Sequence, residues 1–189
     1  AQESRGLGDV YKRQIINNAE RIVFPGQGAM PDCMHELEAR GLRAIIIDAA
    51  KNKPFFGICI GMQLLFDHSE EGDTPGLGLF KGNVKRFEAS KMVDAKGEKL
   101  KVPHMGWNQV YQTKPHALWQ GVADATRFYH VHSYYAAPQN DAVSVGETEY
   151  PNRFTSAVAH DNIFATQFHV EKSAQGGLQL LANFVNWKP

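Results

Sequence analysis

The apolar positions of this 189-residue chain fall into short blocks with two periodicities. ERIVF (20–24) is a β-branched and aromatic run halted by Pro25-Gly26, which predicts a buried strand feeding the tight loop PGQGAMP. A helix is expected over about 32–40, with Asp32 as its cap, Leu37 one turn from Met34 and Gly41 as its stop. LRAIIIDAAKNK carries a strand-like Ile45–Ile47 run inside an alanine-rich frame; we read it as helix, because PFFGI behind it makes the better strand and strand-helix-strand order needs a crossover. QLLFDH is expected to continue as helix and SEEGDTPGLGL to be a loop. Six strand-like runs follow between residues 79 and 168: GNVKRF, WNQVYQ, RFYHVHSYY, AVSVGE, FTSAVA and IFATQF. The last segment, SAQGGLQLLANFVNW, has a helical period in Leu178, Leu181, Phe184 and Val185. This order predicts an α/β fold, a mostly parallel sheet flanked by helices with an antiparallel insertion.

Composition narrows the function classes. Lys plus Arg and Asp plus Glu stand at 20 each, with no like-charge block, so nothing steers the chain toward nucleic acid or an anionic membrane. The longest apolar run falls well short of the roughly 18 residues of a membrane span. Two cysteines without a signal-peptide pattern fit a reducing, cytoplasmic setting and not a disulfide framework. The length suits one domain. Residues 1–14, AQESRGLGDVYKRQ, lack any period, and DVYKRQ corresponds to one reading frame of a transposase-end sequencing adaptor. We therefore expect 1–14 to be a non-native tail and 15–189 to be the domain.

The chemistry begins at GICIG (57–61). G-x-C-x-G between a strand and a helix is the thiol form of the nucleophile elbow, a sharp turn that projects its central side chain toward substrate. A helix N-terminus would favour the Cys59 thiolate, and the Ile60 amide would face a developing oxyanion. An arbitrary cysteine is more often a small buried hydrophobe, the reading given to Cys33. A nucleophile needs a base and the base an orienting group. In TQFHVEKS, His169 and Glu171 leave the same face of extended backbone, so Cys59, His169 and Glu171 can form a triad. His35, His68, His116 and His160 read as surface groups. His130 and His132 share a face and with His104 could imitate a metal trio, but no spacing typical of zinc ligands is present, and neither a metal nor another cofactor is expected.

With these pieces in order, the chain from about Ile15 to Pro189 resembles the class I glutamine amidotransferases. GICIGMQ and QFHVEKS carry the class; PGQGAMPDCM, KVPHMGWN and HVHSYY narrow the resemblance to the glutaminase subunits of imidazole glycerol phosphate synthase. The resemblance implies a flavodoxin-like fold and hydrolysis of L-glutamine to glutamate and ammonia, with Cys59 as nucleophile and His169 and Glu171 completing the triad. It implies an oxyanion hole from the backbone of Gln27 or Gly28 and of Ile60. Glutamine would contact Gly28, Gln63, Glu71, Ser133 and Tyr134. The ammonia would pass to a cyclase partner, a (β/α)8 barrel, for histidine biosynthesis, with Met105, Gly106, Trp107, Asn108 and Lys172 near that partner in a heterodimer.

Two departures stand out. Val170 occupies the usual proline between the catalytic His and Glu, which implies a looser triad, and the family's first strand and helix would precede Ile15. Two alternatives remain open: an inactive assembly subunit keeping only the partner interface, and a thiol-dependent α/β hydrolase, whose acid would however come before the histidine.

Overall fold

The computed structural model describes residues 13–189 apart from 89, 91, 94 and 95. The expectation of a non-native tail falls mostly outside these residues. Strand β1 (Ile22–Gly26) leads into helix α1 (Met30–Ala39), then α2 (Arg43–Asn52), β2 (Phe55–Cys59) and the short α3 (Ile60–Gln63). β3 (Phe66–Ser69), β4 (Thr74–Pro75), β5 (Phe80–Arg86), β6 (His104–Gln112), β7 (Thr126–His132), β8 (Tyr134–Pro138), β9 (Ser144–Glu149), β10 (Arg153–His160) and β11 (Ile163–Thr166) follow, and α4 (Ala174–Asn186) closes the chain.

One eleven-stranded sheet runs β1-β2-β11-β10-β8-β5-β3-β4, with β9, β6 and β7 branching from β10. Parallel pairing holds β1-β2-β11 and β3-β5, while the other pairs are antiparallel. The sheet is therefore mixed, with a larger antiparallel part than the insertion expected from the sequence.

The parallel end positions the site. Every residue of β2 is buried, as an uninterrupted apolar strand requires when both its faces are covered. Phe55 points into a core with Met30, Met34, Ile46 and Ala50 from α1 and α2; Phe56, one residue on, points into a second core with Phe164, Leu180 and Phe184 of β11 and α4. Each of these phenylalanines contributes about 1.5–3 kcal/mol by leaving water, so β2 is clamped between two layers and its C-terminal end cannot drift.

Three local expectations change. The helix after Cys59 stops at Gln63, and Phe66–Ser69 is a strand. Leu64, Leu65 and Phe66 are consecutive buried residues, and the Leu64, Leu65 and Phe66 carbonyls accept from the amides of Leu77, Leu79, Phe80 and Gly78. A helix would bury only one face of such a run, whereas this ladder buries all three. In α1 the Ala29 N-cap has no side-chain bond and Pro31 sits in the first turn, so proline takes the part expected of an Asp32 cap. In α4 the inward face is Gly177, Leu180 and Phe184; Leu178 and Val185 lie outward, each 59% exposed, because the seventh-residue spacing they share belongs to the opposite stripe.

Candidate active site

The turn from β2 into α3 places Cys59 at φ 55° and ψ −113°, a conformation that non-glycine residues rarely hold. The neighbouring glycines make the turn possible. A Cβ on Gly61 would lie 1.9 Å from the Phe24 carbonyl oxygen, and one on Gly57 would press 3.0 Å against both Ala165 Cβ and the Gly61 carbonyl. The elbow expected from G-x-C-x-G is thus present with its reason: β1, β2 and α3 approach too closely for any side chain there.

The base comes from beyond β11. The His169 amide donates to the Tyr129 carbonyl at 2.9 Å, and Ser173 Oγ donates to the His169 carbonyl at 2.5 Å while accepting from the Tyr129 amide at 2.9 Å. This stitching to β7 fixes the ring. His169 Nδ1 and Glu171 Oε1 are 2.6 Å apart. The pair is made across a 3-10 turn (Val170–Lys172) and not along extended backbone, so the face argument from the sequence reached the right contact by a different path. Val170, where the resemblance implies a proline, is a core residue, 1% exposed, packed among the residues around Phe168 and Phe184.

Cys59 and His169 line one cavity of about 480 Å³, together with Gly26, Gln27, Gly28, Ile60, Gln63, Glu71, Ser133, Tyr134 and Lys172. That volume suits a small polar ligand. The structure therefore gathers Cys59, His169, the oxyanion candidates and all five glutamine candidates around a single space, with Glu171 held on the far nitrogen of His169. Gly28, at φ 95°, keeps the loop's backbone in the left-handed region. Glu71 Oε2 accepts from the Met30 amide at 2.8 Å, anchoring its carboxylate at the start of α1. Gln63 Nε2 donates to the Tyr134 carbonyl at 3.1 Å and to Gln167 Oε1 at 2.9 Å.

The thiol differs from its expectation. Burial pushes the Cys59 pKa up to about 11, the nearby Glu171 charge adds to the rise, and bonds from the Ile60 amide and Gln167, with the Lys172 charge, offset only part of it. A helix of four residues carries too small a dipole to outweigh desolvation of a thiolate. Burial therefore favours the thiol form. Gln167 was missed from the sequence: it is fully buried and its Nε2 lies 3.9 Å from Cys59 Sγ. A polar residue closing the apolar run IFATQF was the available signal.

The partner candidates divide. Met105 and Trp107 project side by side from β6, 62% and 48% exposed. Asn108 faces the other way and is spent internally, donating to His104 Nε2 at 3.2 Å and to the Glu149 carbonyl at 3.0 Å. Lys172 stands at the cavity rim with its Nζ 5.9 Å from the Tyr129 ring centre. Of the supposed surface histidines, His116 is half-buried, capping a 3-10 turn through Leu118 and packing on Phe164 and Trp187. Cys33 is half-buried and donates to the Gln27 carbonyl at 3.6 Å.

The sequence profile described as "Glutamine amidotransferase class-I" matches residues 8–187. The chain is 61% identical over 175 residues to imidazole glycerol phosphate synthase subunit HisH of Aromatoleum aromaticum, covering 93% of this chain and 82% of that one. It is 63% identical over 175 residues to the HisH subunit of Dechloromonas aromatica, covering 93% and 81%. The glutaminase domain of Trypanosoma brucei CTPS, solved with bound acivicin, superposes with a TM-score of 0.59 at 18% identity, over 95% of this chain and 76% of that one, a likeness of fold alone. No helix among the described residues is long and apolar enough to cross a membrane. The chain belongs to the class I glutamine amidotransferase family and, within it, to the HisH subunits of imidazole glycerol phosphate synthase.

Proposed function

We propose that this chain hydrolyses L-glutamine in the Cys59 cavity and delivers the ammonia to a cyclase partner, a (β/α)8 barrel with which it forms a heterodimer in histidine biosynthesis, in the cytoplasm. The observation that carries the reading is the meeting of a strained Cys59 with a Glu171-held His169 around one cavity. His169 accepts the Cys59 proton through Nε2, the nitrogen that Glu171 leaves unengaged, as sulfur attacks the side-chain amide carbon. The same proton then passes to the departing nitrogen, the C–N bond breaks, and ammonia leaves a thioester. Water, deprotonated by His169, attacks that thioester, and glutamate departs with the thiol restored.

Charge on the carbonyl oxygen falls to the Ile60 amide and to the Gln27–Gly28 backbone, each such donor worth roughly a hundred- to thousandfold in turnover. Glu71, Gln63, Ser133 and Tyr134 hold the amino-acid end of the substrate, and Lys172 stands at the rim. Met105 and Trp107 supply the exposed apolar contact for the partner, a pair of the type that anchors interfaces. The chain order Cys59, His169, Glu171 speaks against the α/β-hydrolase alternative.

The test uses the complex with the cyclase. Cys59→Ala is expected to remove glutamine-dependent synthesis by at least about 10⁴-fold while ammonia-dependent synthesis by the partner continues. Glutamate release that survives the substitution overturns the assignment.

A further inference from the structure

Away from the triad, β6 and β7 bring three histidines together. His104 pairs directly with His132, and His130, two residues earlier on the same face, lies opposite Gly106, which brings no side chain. One ring nitrogen from each lies within 4.8 Å of the others, and all three residues are buried.

Their hydrogen bonds define which nitrogens are free. The Asn108 amide oxygen accepts from the Gln109 amide at 2.8 Å, so its nitrogen faces His104 Nε2, which must accept. His104 Nδ1 therefore carries the proton and donates to His132 Nε2 at 3.1 Å, and His132 Nδ1 donates to the Tyr134 carbonyl at 2.7 Å. His130 Nδ1 donates to the Phe128 carbonyl at 3.1 Å, leaving a lone pair on Nε2. That atom is the buried side-chain nitrogen or oxygen without a partner among the described residues, in a position where a polar group normally finds one.

We propose that His104, His130 and His132 form a site for a divalent ion of the zinc class, beside the glutamine cavity and separate from Cys59. Two of the rings already show the supporting arrangement of metal-bound histidines, one nitrogen donating to a backbone carbonyl and the other turned inward. The 3.1 Å between His104 Nδ1 and His132 Nε2 is close to the roughly 3.4 Å that separates two ligands held about 2.0–2.1 Å from one tetrahedral ion. Ring centres stand 4.7, 5.1 and 5.6 Å apart, near the roughly 5 Å that the same bond lengths impose on three imidazoles around a common ion.

On binding, the ion takes the place of the proton between His104 Nδ1 and His132 Nε2. That proton moves to His104 Nε2, and the Asn108 amide turns its oxygen to meet it, releasing both the Gln109 amide and the Glu149 carbonyl. Each ring is bonded as a neutral imidazole, one nitrogen donating and the other accepting or unpartnered, so the set can offer lone pairs to a cation. An all-imidazole set favours Zn²⁺, Co²⁺, Ni²⁺ or Cu²⁺ over Mg²⁺ or Ca²⁺. Pro103, Val131 and His132 line the glutamine cavity, which gives the ion its route and the fourth coordination position its opening.

The full chain, carrying Cys59→Ser so that no catalytic thiol competes, is stripped with chelator and titrated with Zn²⁺ and with Co²⁺. Uptake of one ion per chain, visible bands of four-coordinate Co²⁺ and a higher Tm with Zn²⁺ are expected. His130→Phe and His130→Gln, checked for folding by circular dichroism, are expected to weaken binding by at least about a hundredfold, more than loss of an outer partner costs. Equal uptake by parent and variants assigns the metal to surface groups and overturns the proposal. So does a His130→Phe chain that melts above its Zn²⁺-treated parent, since that marks His130 as an unpaired polar group in a dry core.

Discussion

His169 and the trio on β6 and β7 are the same residue type in two settings, less than one strand apart. His169 has a carboxylate on Nδ1 at 2.6 Å and the cavity before its other nitrogen. His104, His130 and His132 have only carbonyls, an amide and one another, and burial drives all three toward the neutral form. The difference teaches that what a buried imidazole can do is set by its partners: the Glu171 carboxylate fixes the His169 ring and leaves its other nitrogen to the cavity, whereas the carbonyl oxygens around the trio hold tautomers without supplying charge.

The comparison breaks most sharply at Glu171. Glu171→Gln leaves the shape and removes the anion, and with the partner present kcat is expected to fall by about 10²–10⁴-fold, read as glutamate release in single-turnover assays. Retention of activity would show that orientation alone suffices.

Acid sharpens the other side. His104 and His130 sit at about 4 and about 3 in the folded chain, below the roughly 6.5 of an unfolded histidine. A depressed pKa means that the unfolded chain binds more protons, so stability is complete above about pH 6.5 and is lost as pH falls toward about 4. Urea melts of metal-free protein should lose about 2–3 kcal/mol per pH unit across that window from these two groups. His130→Phe should remove its share of the slope.

A smaller effect is expected at Gln167, which holds Cys59 and Gln63 together. Gln167→Met keeps the volume and removes a hydrogen bond to developing thiolate, for a fall in kcat of about tenfold to a hundredfold. Alkylation of the thiol against pH in a Cys33→Ser background should show the Cys59 midpoint higher with Gln167→Met than without it, since a bond that lowers the thiol pKa is lost.

Much of this was legible in the residues. The helix choice over LRAIIIDAAKNK holds in Arg43–Asn52, the strand-like runs between 79 and 168 all reappear as strands, and the chemistry-bearing side chains meet around one cavity. Local grammar announced these features: glycines forced by close approach, a buried strand before them, a His-x-Glu after another. What the sequence hid depends on distant partners. LLF became a ladder because residues 77–80 take its carbonyls. The rise in the Cys59 pKa followed from burial by residues spread along the chain, and while His104, His130 and His132 could be grouped from the sequence, their spacing did not reveal which nitrogens are bonded and which is left unpartnered.

The bend at Cys59 has a further consequence. A side chain at φ 55° is disfavoured by about 1–3 kcal/mol, and only glycine would be at ease there. The fold thus keeps its least comfortable torsion at the atom that reacts, and a search for hardier variants would be drawn first to the substitution that ends the chemistry.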